Sequence, residues 1–427
     1  MQTDMKLEDR IALLMDMAGD DRELPPEAAP PPKPPRLRHA NEVGALRPIN
    51  FRQVRMGRGG MVSLMRILMT NACSFNCHYC PMRRDRSMPR TLLKPEELAR
   101  IFISAHRRGW CEGLFVTTGI PGRPVKVMDD LIAALEIIRE RYFFRGYIHV
   151  KMVPGADSEQ IVRLTQLASR VSINLEAPCG AHLRDIAPEK NLDDTLGDLE
   201  QVRKLVVLNR REERAGRPVD ALHPGGTAGL TMQFVVGATV DTDRTILGKV
   251  SELYARSGIH HTQFSAFRPI RDTPMENVRA TPWLREQRLY QADHLMRDYG
   301  FSKSEVVYGE DGNLPLAVDP KSAWALANAD RFPIEVQSAT LESLMRVPGI
   351  GPTSARRIVD QRAGSHFRSL ADLRKLGVVT TRAAGFLTLR GRRLQNVKWS
   401  QQLGFWQPED QAGTPHIVYD VSPGTFR

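Results

Sequence analysis

Short apolar runs alternate with longer amphipathic segments through the middle of the chain. Six runs, starting near residues 62, 113, 146, 170, 230 and 261, have the length and the β-branched or apolar composition of buried strands. Five segments between them carry apolar residues at helical spacing after mostly polar starts, for example KPEELARIFISAHRRG (94–109) and SEQIVRLTQLASR (158–170). The pattern predicts consecutive βα units.

Strands joined by crossover helices pair in parallel, so these units predict an α/β fold, either a partial (β/α)6 barrel or a doubly wound sheet. In both folds the site lies at the carboxyl ends of the strands. Candidate chemistry is therefore expected just after a strand. The βα rhythm stops after about Lys303, and residues 341–394 are helical and basic, which predicts an all-α C-terminal domain.

The remaining segments set the predicted domain boundaries. Residues 25–35, PPEAAPPPKPP, favour polyproline II and cannot pack a core, so residues 1–60 are predicted to form an N-terminal extension with a Pro-rich linker. The α/β core is placed at 61–305 and the C-terminal region at 306–427. Residues 211–229, rich in Gly, Pro and charge, are predicted to form a long loop.

Composition narrows the class of protein. The chain is 41% hydrophobic and 26% charged, as expected of a soluble globular protein. No apolar run reaches the roughly 18 residues that span a bilayer, and the first residues are polar, so a cytoplasmic protein without a membrane partner is predicted. The net charge of +11 favours an acidic partner such as nucleic acid, although an arginine-rich genome would give the same total.

Three of the five cysteines form the motif Cys73-x3-Cys77-x2-Cys80, directly after the first predicted strand. This crowding favours metal ligation by thiolates over disulfides, and thus a reducing compartment. Three thiolates can hold three corners of an iron–sulfur cubane and leave the fourth iron open to a small molecule. The alternative is a zinc site completed by His78 or another ligand, but structural zinc more often uses two separated pairs.

The motif, with the aromatic Tyr79 before the third cysteine, resembles the signature of the radical S-adenosylmethionine (SAM) superfamily. The resemblance implies a partial radical SAM barrel, a [4Fe–4S] cluster on the three cysteines, and SAM bound to the open iron. It also implies an external electron donor of the flavodoxin or ferredoxin type. Reductive cleavage of SAM would release a 5′-deoxyadenosyl radical, which would abstract a substrate hydrogen.

The same resemblance implies SAM contacts at the ends of later strands. Many members carry Gly-Gly-Glu after the second strand, whereas this chain lacks the glutamate, so the amino group would rest on backbone and hydroxyl groups. Polar side chains after the fourth strand would hold the ribose, and a glycine on the fifth would admit adenine. A lysine after the third strand would neutralise the SAM carboxylate, or would simply extend to solvent from the barrel rim. The candidates are Tyr79, Thr117, Thr118, Gly119, Lys151, Asn174, Glu176 and Gly237.

No catalytic residue follows from the sequence, but two residues are candidates. Cys179 follows the fourth predicted strand, where a thiol could reach the radical, and a buried structural cysteine is the alternative. Arg268, in the sixth-strand segment AFRPI, could hold an anionic substrate or cofactor. An ordinary ion pair at the rim is the alternative for Arg268.

The segment SLMRVPGIGPTSARRIV (343–359) predicts two helices around a tight turn at 348–351. Glycines in such a turn let the backbone approach a phosphate, and the next helix begins there with free N–H groups. The segment resembles the helix-hairpin-helix motif of DNA repair and replication proteins, and residues 369–387 resemble its second half. Candidate nucleic-acid contacts are Gly349, Gly351, Arg356 and Arg357, and the predicted core positions are Leu344, Val347, Ile350, Ala355 and Ile358.

Charge is concentrated in this C-terminal segment. Residues 343–398 contain twelve arginines and lysines against two acids, Asp360 and Asp372, a net charge of +10 that is nearly the whole excess of the protein. An arginine-rich genome would have spread the charge along the chain. The distribution favours DNA as a partner, and a hairpin used for protein contact or for packing is the alternative.

Together, LMTNACSFNCHYC, EGLFVTTG, FRGYIHVKMVPG, residues 276–301 and LMRVPGIGPTSARRIV resemble a group of radical SAM proteins assigned to DNA modification or repair. Members carry a C-terminal helix-hairpin-helix and are distantly similar to biotin synthase. The resemblance implies an enzyme that cleaves SAM to modify or repair DNA. The alternatives are a radical SAM enzyme acting on RNA or on a nucleic-acid-bound protein, and a non-catalytic iron–sulfur protein that binds DNA or senses redox state.

Overall fold

The computed structural model describes residues 5–18, 51–55, 61–219, 221–222, 228–256, 258–259, 261–364 and 366–394. The chain divides into two compact units. The first holds the described residues up to 241 together with 252–281, and the second holds 242–251 and the described residues from 282 onward. The Pro-rich segment 25–35 lies outside the described residues.

A seven-stranded sheet, whose spatial order equals the chain order, forms the centre of the first unit. Its last six strands pair in parallel and form a curled half-barrel, as the sequence predicted, and the first strand pairs antiparallel with the second. The antiparallel strand was not predicted. The strands are β1 (Phe51–Arg55), β2 (Met61–Leu68), β3 (Gly113–Thr117), β4 (Ile148–Lys151), β5 (Arg170–Glu176), β6 (Gly229–Val236) and β7 (Thr262–Ala266).

Helices connect consecutive parallel strands, and the five predicted ones are present. They begin at capping residues where the sequence supplies them: Asp157 accepts a hydrogen bond from Gln160 N, and Asn191 accepts from Asp193 N and Asp194 N. The helices are α1 (Leu7–Ala18), α2 (Pro95–Arg107), α3 (Pro124–Glu136), α4 (Ser158–Leu167), α5 (Gly180–Ile186), α6 (Leu192–Arg214) and α7 (Asp243–Tyr254). A π-helical turn, Ile137–Arg141, extends α3.

Two helical segments differ from the sequence prediction. Helix α5 was missed because its seven residues are too short to show a helical period. Helix α6 runs to Arg214, so the predicted loop 211–229 begins as helix, and its charged residues Arg211 to Arg214 lie on the last turn. Residues 220 and 223–227 of that segment lie outside the described residues.

Helices pack against the sheet, and its strands combine buried apolar residues with buried polar ones such as Arg66, His149 and Ser172. All five residues of β3 are buried, as are Leu98 and Phe102 of α2 and Leu131 of α3. Parallel pairing brings the carboxyl ends of β2 to β7 to one edge of the sheet. None of the described helices is long and apolar enough to cross a membrane.

The second unit combines helices with a small three-stranded sheet of order β10-β9-β8, where an all-α domain was expected. Its strands have two or three residues, too few for an alternating pattern in the sequence. The five core positions predicted around the hairpin are at most 1% exposed, which confirms them. The elements are α8 (Trp283–Asp298), α9 (Pro320–Ala327), β8 (Ile334–Glu335), α10 (Leu341–Arg346), α11 (Pro352–Arg362), α12 (Leu370–Lys375), α13 (Thr380–Ala383), β9 (Leu387–Leu389) and β10 (Arg392–Arg393).

Candidate active site

The three clustered cysteines lie in the loop after β2, at the carboxyl edge of the sheet. Cys77 is buried, Cys73 and Cys80 are partly exposed, and none forms a disulfide. The loop is tied to the segments after β3 and β5: Ser74 N donates to Ile120 O at 2.8 Å, and His78 N donates to Ile186 O at 2.7 Å. Three strand ends therefore fix the position of this loop.

Arg90 follows the cysteine loop in sequence and holds it in place through hydrogen bonds. Its guanidinium donates four hydrogen bonds to backbone carbonyls: to Asn71 O and Met82 O at 2.7 Å each, to Arg83 O at 2.6 Å and to Arg86 O at 2.9 Å. The rigid fork of arginine matches several acceptors at once. The sequence did not identify Arg90, because no local pattern marks an arginine that binds carbonyls across twenty residues.

We expect Arg90→Lys to loosen the cysteine loop. An ammonium group cannot reach four spread carbonyls, and the lost hydrogen bonds should lower the free energy of unfolding by about 2 kcal/mol. The variant should also retain less iron after cluster reconstitution, measured by iron analysis after gel filtration. The matched control is Arg84→Lys, because Arg84 is exposed and its side chain pairs with the adjacent Asp85. Equal losses in the two variants would contradict the assigned role of Arg90.

Burial controls the protonation of these thiols. It raises the pKa of Cys77 to about 11 and that of Cys80 to about 12, and Lys190 opposes the shift in both. Without a metal the two thiols are therefore protonated at neutral pH. Iron–sulfur ligation requires thiolates. The positive charge of iron would stabilise the thiolate form, which burial disfavours by removing water. Three soft sulfur donors in one loop fit a [4Fe–4S] cluster with one iron open to another ligand.

Glu176 is the centre of a buried polar network beside the cysteine loop. It ends β5, is 1% exposed, and has a left-handed φ of +64° at a break in the sheet register. Its Oε1 accepts from Lys190 Nζ at 2.5 Å and from Asn174 Nδ2 at 3.2 Å. Burial opposes ionisation, but Lys190 outweighs it and holds the pKa of Glu176 below its ordinary value. Glu176 and Lys190 thus form a charged pair.

Two acceptor atoms of this network point to a missing ligand. Asn174 Oδ1 and Glu176 Oε2 are buried, and neither has a hydrogen-bond partner in the described part of the chain. A buried acceptor without a donor costs about 1–3 kcal/mol, so such atoms are typical of a ligand site. The ammonium and ribose hydroxyl groups of SAM are donors that would satisfy them.

The segment after β3 lies directly against the cysteine loop. Gly119 N donates to Thr70 O at 2.7 Å, and Thr118 Oγ1 donates to Gly119 O at 2.8 Å. A Cβ atom at Gly119 would lie 2.2 Å from Ala72 O, so only glycine allows this approach. Thr117 is buried at the end of β3. The segment therefore supports the loop as well as offering backbone groups to a ligand.

Three further residues predicted from the sequence lie in different surroundings. Lys151 Nζ donates to Gln233 Oε1 at 3.0 Å and helps to lower the pKa of Glu176, which places Lys151 in the same site. Gly237 follows β6 with a φ of +80°, a conformation that favours glycine. Arg268 is exposed, and it forms no ion pair among the described residues, so the rim ion pair is not seen.

Cys179 lies between β5 and α5 and is partly exposed. Its sulfur lies close to side-chain atoms of His182 and Asp241, within a group whose ligand atoms are all within 4.8 Å of one another. His182, Asp241 and Lys190 were not among the residues predicted from the sequence. His182 follows Cys179 by one helical turn, and this spacing could have indicated from the sequence that the two side chains lie together. Asp241 and Lys190 come from other segments, so no such spacing marks them.

The hairpin of the second unit is built around Gly349. This residue has a φ of +83°, and a Cβ there would lie 2.5 Å from Val379 O. Val379 N donates to Gly349 O at 2.9 Å, so the two halves of the motif are hydrogen-bonded turn to turn. Gly351 is the N-cap of α11, and a Cβ there would meet only Tyr299 Oη, at 3.4 Å. Gly349 thus serves packing, while Gly351 leaves space beside the helix start.

The basic residues of this unit divide into structural and exposed ones. Arg346 is buried and pairs with Glu305 at 2.9 Å, Arg382 pairs with Asp319 at 2.5 Å, and Arg362 donates to two backbone carbonyls. These three arginines stabilise the unit and are not directed to a partner. Arg356 is exposed on the first turns of α11 and remains available to a ligand, as are Arg368, Lys375, Arg390, Arg392 and Arg393. Arg357 is also exposed on this helix and donates one long hydrogen bond, of 3.5 Å, to Leu376 O.

Comparisons with known proteins agree with both sites. Residues 67–207 match the family model described as the Radical SAM superfamily, and residues 332–384 match that of the Helix-hairpin-helix motif. The superfamily uses a [4Fe–4S] cluster and SAM. No curated protein matches the chain.

Several solved structures resemble part of the chain. A maturase of the [FeFe]-hydrogenase covers 54% of this chain and 48% of its own, with 16% identity and a TM-score of 0.41. Methylornithine synthase covers 54% of this chain and 60% of its own, with 14% identity and a TM-score of 0.42. A radical SAM methyltransferase from Sphaerobacter thermophilus covers 56% and 67%, with 15% identity and a TM-score of 0.38. The chain thus spans about half the length of the maturase and three fifths of the synthase.

Proposed function

Because this chain carries a radical SAM domain and a helix-hairpin-helix motif, we propose that it is a cytoplasmic radical SAM enzyme that modifies or repairs DNA. Cys73, Cys77 and Cys80 would hold the [4Fe–4S] cluster, and an external donor of the flavodoxin or ferredoxin type would reduce it. We place the reaction in residues 61–305 and the DNA contact in residues 341–394.

One observation carries the enzymatic part of the proposal. A loop with three unpaired thiols lies beside two buried acceptors, Asn174 Oδ1 and Glu176 Oε2, that have no partner in the described residues. A purely structural cluster normally takes a fourth protein ligand and needs no donor-rich small molecule next to it. A cluster with an open iron, next to acceptors for an ammonium or hydroxyl group, fits SAM.

The chain's own residues prepare this site for cofactor binding. Glu176 accepts hydrogen bonds from Lys190 and Asn174, which fix its carboxylate and leave Oε2 for a ligand donor. Lys151 brings a positive charge that suits the SAM carboxylate. A cluster held there would supply the electron for cleavage of SAM, and with it the radical chemistry that acts on a substrate C–H bond. Tyr79, Thr117, Thr118, Asn174 and Gly237 complete the proposed cofactor contacts.

The choice of DNA as substrate rests on the second unit. Gly351 begins α11 with open space beside it, and the first N–H groups of a helix lack intrahelical acceptors, so this end attracts a phosphate. Arg356 and Arg357 are exposed on the same helix. Contacts of this kind bind the backbone without reading sequence. The base or sugar to be modified would then be selected at the radical site, which requires it to leave the base stack.

The test of the proposal is SAM cleavage. The full chain is reconstituted anaerobically with iron and sulfide, reduced with dithionite and given SAM, and 5′-deoxyadenosine is quantified with and without duplex DNA. We expect product that requires the cluster, rises with DNA and is absent from Cys73→Ala. Cys111→Ala is the matched control, because Cys111 is buried at the start of β3, apart from the motif.

The outcomes separate the alternatives. Cleavage that rises with RNA and not with DNA would contradict the DNA substrate and favour the RNA alternative. Cleavage that neither nucleic acid stimulates would leave a radical SAM enzyme and move the substrate search to proteins. Absence of SAM cleavage in protein with a complete cluster would contradict the proposed enzymatic function and favour the redox-sensing alternative.

Removing two exposed arginines should weaken DNA binding without unfolding the chain. Arg356→Ala combined with Arg357→Ala should lower the affinity for duplex DNA regardless of sequence, and should reduce the log–log salt slope by up to about 1.8. Fluorescence anisotropy across a salt series measures both quantities. The control removes the same charge from the exposed strand β10, as Arg392→Ala with Arg393→Ala. An equal change in the control would mean that bulk charge, rather than the hairpin, binds the DNA.

A further inference from the structure

A second cluster of metal-type ligands lies at the carboxyl edge of the sheet, separate from the cysteine triplet. Cys179, His182 and Asp241 each present one ligand atom, and these three atoms lie within 4.8 Å of one another. Cys179 precedes α5 and His182 lies on it, after β5, whereas Asp241 follows the neighbouring parallel strand β6. Two adjacent strand ends therefore converge on one point.

Hydrogen bonds order the side chains of His182 and Asp241. His182 Nδ1 lies 2.8 Å from Asp241 Oδ1, and Thr239 Oγ1 donates to Asp241 Oδ2 at 2.6 Å. A carboxylate oxygen carries a second lone pair, and the Cys179 sulfur makes no capping hydrogen bond to α5. Hydroxyl and carboxylate partners of this kind commonly orient metal ligands.

Burial adds an electrostatic reason for a cation. The Asp241 side chain is 2% exposed, while the His182 side chain is 30% exposed, so the cluster is open on the histidine side. A buried carboxylate next to a thiol loses much of its hydration, so a cation beside it is favoured. A divalent ion would neutralise the carboxylate and a thiolate together.

From this geometry we propose that Cys179, His182 and Asp241 form a mononuclear site for a divalent transition metal of the zinc type. Sulfur, nitrogen and oxygen donors suit Zn²⁺ or Co²⁺, whereas Mg²⁺ and Ca²⁺ prefer oxygen alone. Ligands on one tetrahedral ion are separated by about 3.3–3.6 Å, so the histidine and aspartate need to part by only about half an ångström. Three protein ligands leave a fourth position for water or a substrate heteroatom.

Cobalt is the probe, because its thiolate complexes absorb visibly and in the near ultraviolet. The full chain carries Cys73→Ala, Cys77→Ala and Cys80→Ala to remove competing sulfur ligands, and is titrated anaerobically with Co²⁺. We expect one equivalent to bind with a sulfur-to-cobalt charge-transfer band and tetrahedral ligand-field bands. Adding Cys179→Ala should remove the charge-transfer band and weaken binding at least about 100-fold.

Three further variants make the test specific. His182→Ala and Asp241→Asn should also weaken cobalt binding, and Thr239→Val should weaken it about 10-fold through loss of orientation of Asp241. Cys111→Ala is the matched cysteine control and should change nothing, because Cys111 is buried elsewhere. If the triple-cysteine chain misfolds, zinc is measured in the reconstituted wild-type chain, where Cys179→Ala should remove zinc and leave iron unchanged.

The proposal would be overturned by a chain that binds no cobalt, or that keeps its charge-transfer band in Cys179→Ala. It would likewise be overturned if Cys179 bound no metal but reacted rapidly with iodoacetamide in a manner that His182→Ala abolished, because the group would then be a thiolate–imidazole pair. Metal content and spectra are measured without SAM cleavage, so their failure is distinguishable from failure of the proposed enzyme function.

Discussion

Replacing Glu176 with glutamine is expected to abolish SAM cleavage and to lower the free energy of unfolding by about 3–5 kcal/mol. The amide fills the same space, but it leaves the buried Lys190 ammonium, 2.5 Å away in the parent, without its counter-charge. It also replaces the carboxylate oxygen that has no partner among the described residues and that we assign to SAM. Urea unfolding measures the first effect, and 5′-deoxyadenosine production measures the second.

The double variant Glu176→Gln with Lys190→Met separates stability from function. Removing both charges of a buried pair usually restores most of the stability lost in the single variants. We therefore expect near-parental unfolding and no SAM cleavage. Recovery of cleavage in the double variant would show that the pair acts only in folding and would contradict the assignment of Glu176 to the cofactor.

The same pair predicts the direction of a pH effect. The folded-state pKa of Glu176 is lowered, because Lys190 outweighs the burial that opposes ionisation. A lowered carboxyl pKa contributes stability above the unfolded-state pKa, and this contribution is lost as the pH falls toward the folded-state value. The free energy of unfolding of the parent should therefore fall more steeply in acid than that of the double variant, which lacks this carboxylate.

Gly349→Ala is expected to unfold the hairpin of the second unit. A residue with a side chain costs about 1–2 kcal/mol at this left-handed φ of +83°, and its Cβ would lie 2.5 Å from Val379 O. Overpacking of this kind adds about 1–3 kcal/mol. We expect rapid hydrogen exchange in peptides covering 341–389 and loss of DNA binding, with SAM cleavage in the absence of DNA retained.

Gly391→Ala is the matched control for this effect. Gly391 has a similar φ of +74°, but no atom lies within 4 Å of the position that its Cβ would occupy. It should therefore show only the backbone cost of about 1–2 kcal/mol. Gly351→Ala adds a functional comparison, because it meets only Tyr299 Oη at 3.4 Å and should reduce DNA affinity without faster exchange. Equal exchange in Gly349→Ala and Gly391→Ala would mean that turn-to-turn packing is unimportant.

The order of the elements and the type of chemistry follow from the amino-acid sequence alone. Strand and helix periods are local, so the six parallel strands and all connecting helices except the short α5 could be predicted from the spacing of apolar residues. The cysteine motif is also local, since its three ligands lie within eight residues. The hairpin was predictable for a related reason: a turn with a left-handed backbone demands a glycine at position 349.

Which polar groups meet depends instead on the tertiary fold. Lys190 reaches Glu176 across 14 residues, and Asp241 reaches His182 across 59, because the strand order brings separate loops to one edge of the sheet. Likewise, no local pattern distinguishes the structural Arg346 from the exposed Arg356. The sequence gives only the position of a charged residue along the chain. Its partners and its burial depend on packing between distant segments.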